Sequence, residues 1–320
     1  MTKVRRPYGS WPSPVTTDRI VSDVVGLTAI RVDGADLYWI ERRPAEAGRC
    51  VIVRRRADGG VEDVLPAPFS ARTRVHEYGG GAYQVRGGVI WFSNFADQRL
   101  HRLVPGEAPE PLTPAGGLRY ADTVLDEARG RLLAVREDHR EGGREPVNTL
   151  VAVPLAGGEG GVLAEGFDFY AAPRPSPDGA SLAWVCWNHP NMPWDETELW
   201  LADVLPEGGL ANARPVAGGD GESVVEPRWS PGGVLHWVGD ASGWWNLHRL
   251  GPDGPEAVHP CECELAGPAW ELAVDTYGFE SETRVLCAVT EDGVHRPAHL
   301  DVERGTLEPL DLPWPDALTV

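Results

Sequence analysis

The densest run of reactive side chains is Arg74-Val75-His76-Glu77-Tyr78, followed at once by Gly79-Gly80-Gly81. An adjacent imidazole and carboxylate could serve as acid and base. Three glycines let the backbone turn sharply or come against a ligand, which predicts a loop or innermost strand carrying His76 and Glu77 beside a cavity. The same residues also suit a buried hydrogen-bonded lock that pins one structural unit to the next. A second cluster is Trp187-Asn188-His189-Pro190-Asn191-Met192-Pro193-Trp194-Asp195, a stiff aromatic loop. It could present Trp187, Trp194 and Asp195 to a ligand, with His189 as another acid or base, or simply pack over its neighbour. Glu137-Asp138-His139-Arg140, with Glu145 and Asn148, reads as a salt-bridge network. Ser242-Gly243-Trp244-Trp245-Asn246 reads as a tight turn into a strand, with one indole packed and the other offered to a partner.

Other chemistries lack their residues. A Gly-x-Ser-x-Gly nucleophile elbow is absent, and Ser10, Ser223 and Ser242 have no flanking glycine pair of that form. His76-Glu77 lacks the second histidine of a zinc helix. His259-Pro260-Cys261-Glu262-Cys263 brings thiol and imidazole together but offers no second cysteine pair at finger spacing, so neither metal nor cofactor is expected. The five cysteines, Cys50, Cys186, Cys261, Cys263 and Cys287, have no repeated spacing and are expected to be free thiols, with the cytoplasm as location.

The elements that must position these residues follow from composition and repetition. In 320 residues, 38 are glycine and 29 proline, while 42% are hydrophobic, which favours many short strands joined by tight turns. Six units recur, each an Asp-Gly or Gly-Gly turn, an apolar strand often containing Trp, a polar break and a second apolar strand. With Trp39, Trp91, Leu133, Trp184, Trp237 and Leu286 as equivalent strand centres, they lie 42 to 53 residues apart. That period fits one four-stranded propeller blade per unit. The expectation is a single all-β propeller domain over 1–320. It has a lead-in at 1–25 and units near 26–66, 75–114, 119–165, 168–217, 224–259 and 265–312. Asp and Glu number 48 against 29 Lys and Arg, a net charge of −19 that disfavours nucleic acid and anionic membrane surfaces as partners. No stretch approaches the apolar length of a membrane span.

YGSWPSP, TRVHEYGGGAY, WFSNFADQRL, REDHREGGREPVN, the SPDG turn, WNHPNMPWDETELW and SGWWNL together resemble the β-propeller of the prolyl-oligopeptidase family of serine peptidases, in its bacterial dipeptidyl-aminopeptidase and acylaminoacyl-peptidase-like branch. The resemblance covers essentially the whole chain. It implies a propeller, commonly of seven blades, that caps an α/β-hydrolase domain carrying the Ser-Asp-His triad, filters substrates by size and binds a peptide terminus. The chain departs from that pattern in stopping about where a seventh blade would begin, in having Asn188 where Asp is expected, and in having Gly232 at the Asp position of the turn. It therefore reads as a non-catalytic propeller that recognises a peptide, small molecule or partner. The alternative is a standalone propeller enzyme using His76, Glu77 or His189.

Overall fold

The computed structural model describes residues 5–22, 24–142 and 145–312. It contains six four-stranded antiparallel sheets, each made of four consecutive strands, so no strand is shared between the first sheet and the last. The sheets, here blades 1 to 6, span residues 26–63, 83–111, 118–164, 169–218, 224–257 and 277–309. Helix is confined to one short α-helix, Thr17–Val21, and two 3-10 turns, and among the described residues no helix is long and apolar enough to cross a membrane. Trp39, Trp91, Leu133, Trp184, Trp237 and Leu286 all fall in the second strand of their blade. They are equivalent because each blade repeats the same alternation of short strand and Gly-bounded turn. In blade 4 that strand, Ser181–Trp187, is buried from Leu182 onward, because both of its faces lie against other blades.

Apolar clusters weld successive blades. Tyr38, Ile40 and Val53 of blade 1 pack with Tyr83, Ile90 and Phe92 of blade 2, and comparable clusters join blades 2 to 3, 3 to 4, 4 to 5 and 5 to 6. Each large side chain buried there contributes about 1.5–3 kcal/mol. Among the described residues no such cluster joins blade 6 to blade 1, and Leu27, Ile30 and Val32 on the first strand remain well exposed. There the ring is tied at its centre by charge: Arg31 pairs with Asp275 at 2.6 Å, and Asp275 also takes Arg228 of blade 5.

The innermost strands share a device. Ala29, Gly81, Asp122, Ala172, Glu226 and Ala273 all take positive φ, between 48° and 56°. At Ala29, Asp122, Ala172 and Glu226 the strand register slips, the mark of a β-bulge. Freed from the sheet ladder, bulge groups bond across blades. The Asp122 amide donates to Gly81 O (3.0 Å), the Ala172 amide to the Asp122 carboxylate (2.7 Å), Tyr83 OH to Ala29 O (2.7 Å) and Tyr277 OH to Glu226 O (2.8 Å).

The three glycines after Tyr78 are fixed by contact. A Cβ on Gly79 would lie 2.5 Å from Thr73 O, on Gly80 2.1 Å from Leu272 O, and on Gly81 2.7 Å from the Asp122 Cα. Gly80 and Leu272 form a bridge, and the Leu272 amide donates to Gly79 O at 2.8 Å. The lead-ins of blades 2 and 6 thus meet directly, bypassing blade 1.

One expectation fails here. Cys261 and Cys263 are joined in a disulfide, leaving Cys50, Cys186 and Cys287 free and buried. Asn246 gathers this segment, accepting from the Cys261 amide (2.9 Å) and donating to Cys263 O (3.0 Å), and the two Cα atoms come within 5.2 Å, inside bridging range. Spacing arguments weigh distant loops and overlook a turn that folds onto itself.

Gly80→Ala is expected to cost about 3 kcal/mol or more, since backbone on both sides blocks relief and φ is positive. Gly267→Ala, with open space around it, is expected to stay within about 0.5 kcal/mol. Equal thermal melting of the two variants would refute the close-approach argument.

Candidate functional site

Where the two lead-ins cross, a cavity of about 450 Å³ opens at the centre of the ring. Its walls come from several blades because each contributes its innermost strand and the loops beside it. His76, Glu77 and Tyr78 enter from the blade 2 lead-in, Glu137, His139 and Asn148 from blade 3, and Phe169, Trp187 and His189 from blade 4. Trp194 follows from the proline-rich loop, Glu226 from blade 5, and Trp270 and Glu271 from the blade 6 lead-in. Of the side chains singled out in the sequence, His76, Glu77, Tyr78, Trp187, His189 and Trp194 meet in this one cavity.

Glu137, His139, Glu145 and Asn148, read from the sequence as a salt-bridge network, join them there, while the remaining candidates lie elsewhere. Arg74 is exposed, its guanidinium 4.7 Å from the Phe95 ring centre. Asp195 accepts the Met192 amide at 2.8 Å and shapes its own loop. Trp245 packs against the blade 5–6 cluster, and Trp244 is partly exposed away from the cavity. Sequence reasoning passed over Phe169, Glu226, Trp270 and Glu271. No local sequence pattern marked Glu226 or Trp270.

His76 and Glu77 are held in left-handed backbone, φ 52° and 62°, a conformation that side chains disfavour. The strained turn is anchored by Glu137, a buried carboxylate that accepts the His76 amide at 2.7 Å and pairs with His139 Nε2 at 2.8 Å. Glu137 thus leaves the exposed network of its neighbours, where Arg140 binds Asp138 and Glu159. The His76 ring stands edge-on to Phe169 and Trp187, which stack on each other with centroids 5.2 Å apart. Burial among these rings pushes the His76 imidazole down to about 4, against the opposing pull of the Asn148 side chain, so it is neutral at physiological pH. Among the described residues, buried His76 Nε2 and Asn148 Oδ1 lack a well-formed hydrogen bond, although the Asn148 side chain still acts on the imidazole. Asn188 braces the floor loop: its side chain accepts the Asp168 amide, and Asp168 accepts the His189 amide, both at 2.9 Å.

At the mouth, Trp270 lies 4.5 Å from Trp194 and 5.5 Å from Tyr78, centroid to centroid. Deeper in, the Glu226 carboxyl is pushed up to about 7 by burial, despite Arg228 and two bonds from Thr276. Among the described residues, seven carboxylates line the cavity against one guanidinium, that of Arg174, which is bound to Asp122 at 2.9 Å. Among the described residues no group of three or more His, Cys, Asp or Glu side chains converges as a metal-ligand set. The arrangement can therefore hold an apolar or cationic group. His76 and Glu77 do not bond to each other, and Glu77 lies only at the limit of an ion pair with Arg119, 4.0 Å away.

These environments set opposite pH dependences. His76 takes up a proton near 6.5 when unfolded and near 4 when folded, so stability present above 6.5 is lost as pH falls toward 4. Glu226 runs the other way: stability present below 4.5 is lost as pH rises toward 7. His236, also pushed to about 4, adds to the first effect. Denaturant unfolding from pH 4 to 8 should therefore show a shallower acid-side loss in His76→Gln and a smaller loss between 4.5 and 7 in Glu226→Gln. Parallel curves for wild type and variant would refute either assignment.

No family model matches the chain, and no curated protein matches it by sequence. Solved structures do. A puromycin hydrolase shares 36% identity over 98% of this chain and 51% of its own, with a TM-score of 0.89. A puromycin-hydrolysing peptidase of Mycobacterium tuberculosis shares 39% identity over the same shares, with a TM-score of 0.87. Prolyl oligopeptidase B of Galerina marginata, at 13% identity, a TM-score of 0.64, and 90% and 44% coverage, shares the fold alone. The chain spans about half the length of these proteins. With the propeller motifs read from the sequence, the six blades built from them and this identity along nearly its whole length, the chain belongs to the prolyl-oligopeptidase family as a propeller of its N-terminal kind.

Proposed function

We propose that this propeller is the substrate-admitting half of a peptidase: it receives a small peptide or aminoacyl compound in its axial cavity and works with an α/β-hydrolase domain that supplies the nucleophile. The observation that carries this reading is the cavity itself. A chamber of about 450 Å³ takes a ligand of drug-like or short-peptide size and excludes a folded chain. It is walled by strained and aromatic side chains brought together from separate blades. The likeness to puromycin-hydrolysing peptidases supports the substrate class.

Gating follows from the walls. Blade 4 and the two lead-ins give the chamber fixed sides, because Gly79, Gly80 and Gly81 are wedged against neighbouring backbone and cannot swing out without losing the Leu272 bridge. Trp194, Trp270 and Tyr78 narrow the mouth, so a flat or flexible ligand passes where a bulky folded one does not. Catalysis by His76, Glu77 or His189 has less support. The His76 ring is neutral and buried among Phe169 and Trp187, Glu77 is largely exposed, and the two share no proton-relay bond.

The 320-residue chain should bind puromycin with saturable quenching of indole fluorescence, since Trp187, Trp194 and Trp270 face the cavity. It should leave puromycin and chromogenic aminoacyl substrates intact and take no fluorophosphonate label. Trp270→Ala should weaken binding about tenfold, as expected for loss of one aromatic contact at a desolvated site. Turnover or serine labelling by the chain alone would overturn the non-catalytic reading, and absence of binding would overturn the chamber.

A further inference from the structure

In a chain with 48 acidic side chains against 29 basic ones, a cation without a partner is unusual. Arginines elsewhere sit against carboxylates, as Arg43 does on Asp63, Arg54 on Asp36, Arg131 on Asp126 and Arg140 on Asp138. Arg72 and Arg74 do not. Both guanidiniums lie on the ring of Phe95, 4.8 and 4.7 Å from its centre, and among the described residues neither has an ion pair or a hydrogen bond. Two like charges thus stand within about 10 Å of each other, the Debye length in dilute salt, and an anion that both can reach relieves their repulsion.

The pair is built in. Gln98 takes left-handed backbone, φ 59°, and its side chain serves this patch alone: Oε1 accepts the Arg74 amide at 2.8 Å and Nε2 donates to Phe95 O at 2.9 Å. A strained residue that fixes two neighbours marks a preorganised site. Phe95 is half-buried and its amide donates to Ser70 O at 2.9 Å, so its ring is a fixed floor for the two flexible side chains. Each guanidinium presents paired N–H donors that match the two oxygens of a carboxylate.

Position ties the patch to the chamber. Arg74 is two residues from His76, which puts their Cα atoms within about 7 Å. Arg119 braces this stretch from blade 3, donating to Arg74 O at 3.4 Å and reaching Glu137 at 3.6 Å. The cavity wall offers no guanidinium of its own to an anion, because Arg174 is bound to Asp122 at 2.9 Å. Arg72 and Arg74 stand just outside that wall.

We propose that Arg72 and Arg74, backed by Phe95, form a carboxylate-binding site at the rim of the chamber, which takes the free carboxyl end of a short peptide held at the mouth. This rests on the chamber reading above and adds a specificity to it: a peptide acid is preferred over the same peptide with its carboxyl group blocked.

The test compares the tripeptide Phe-Gly-Gly with its carboxyl-terminal amide, two probes that differ only in that charge. Titration calorimetry on the 320-residue chain should give the acid an affinity at least about fivefold higher, a difference that shrinks at high salt. In Arg72→Gln/Arg74→Gln, confirmed as folded by its melting curve, the preference should fall to about twofold or less through loss of affinity for the acid alone. Puromycin, which has no carboxylate, should bind that variant as it binds wild type. Arg214→Gln, at an exposed arginine on the outer strand of blade 4, should keep the preference, which separates a local site from a change in net charge. Equal affinity of wild type for acid and amide, with puromycin bound, overturns the rim site and leaves the chamber standing. A preference that survives in the double variant, or that Arg214→Gln abolishes equally, also overturns it, and failure of all three probes to bind overturns chamber and rim site together.

Discussion

The structure hangs on a crossing of two backbones. Gly80 and Leu272 approach until no Cβ fits between them, and this tie joins the lead-ins of blades 2 and 6 across blade 1. It does more than close a gap. Leu272 and Val75, one from each lead-in, are buried in the apolar cluster shared by blades 3 and 4, so the crossing is anchored by the core on the far side of the ring. The residues beside it, Glu77 and Tyr78 on one strand and Trp270 and Glu271 on the other, become cavity walls as a consequence. Close packing of two main chains transmits position without slack, which a site assembled from separate blades needs.

Closure of the ring is uneven. Five blade junctions are apolar and gain from burial in proportion to area, whereas the junction between blades 6 and 1 rests at its centre on Arg31, Asp275 and Arg228. A partly buried ion pair contributes little net stability, because desolvation offsets attraction, but it tolerates only one geometry. The last junction therefore adds alignment more than energy. Ring order comes from the axial layer of bulges, where a blade donates to the one before it, and not from a strand shared between first and last blades.

The cavity combines two features that a polar cleft at the surface would not keep together. Burial holds the His76 ring neutral and raises the Glu226 carboxyl, while the Glu77 side chain at the mouth is 85% exposed.

Composition, turn residues and period were enough to determine a ring of four-stranded blades. Trp39, Trp91, Leu133, Trp184, Trp237 and Leu286 mark the same strand of each blade because the pleat and the Gly turns repeat along the chain. Local chemistry also marked His76, Glu77, Tyr78, Trp187, His189 and Trp194, since glycine runs and proline-stiffened aromatic loops announce unusual backbone. What the tertiary structure alone decided is which of these share a space. Trp270 and Glu271 reach the cavity only through a contact with Gly80 some 190 residues away in the chain. Glu137 faces away from Asp138 across the strand they share, and there it accepts the His76 amide from another blade's lead-in. Arg74, Trp244 and Trp245, of similar chemistry, were carried elsewhere. Periodicity is a property of neighbours along the chain, and so is legible; a site is a property of neighbours in space, set by close approaches that no local pattern encodes.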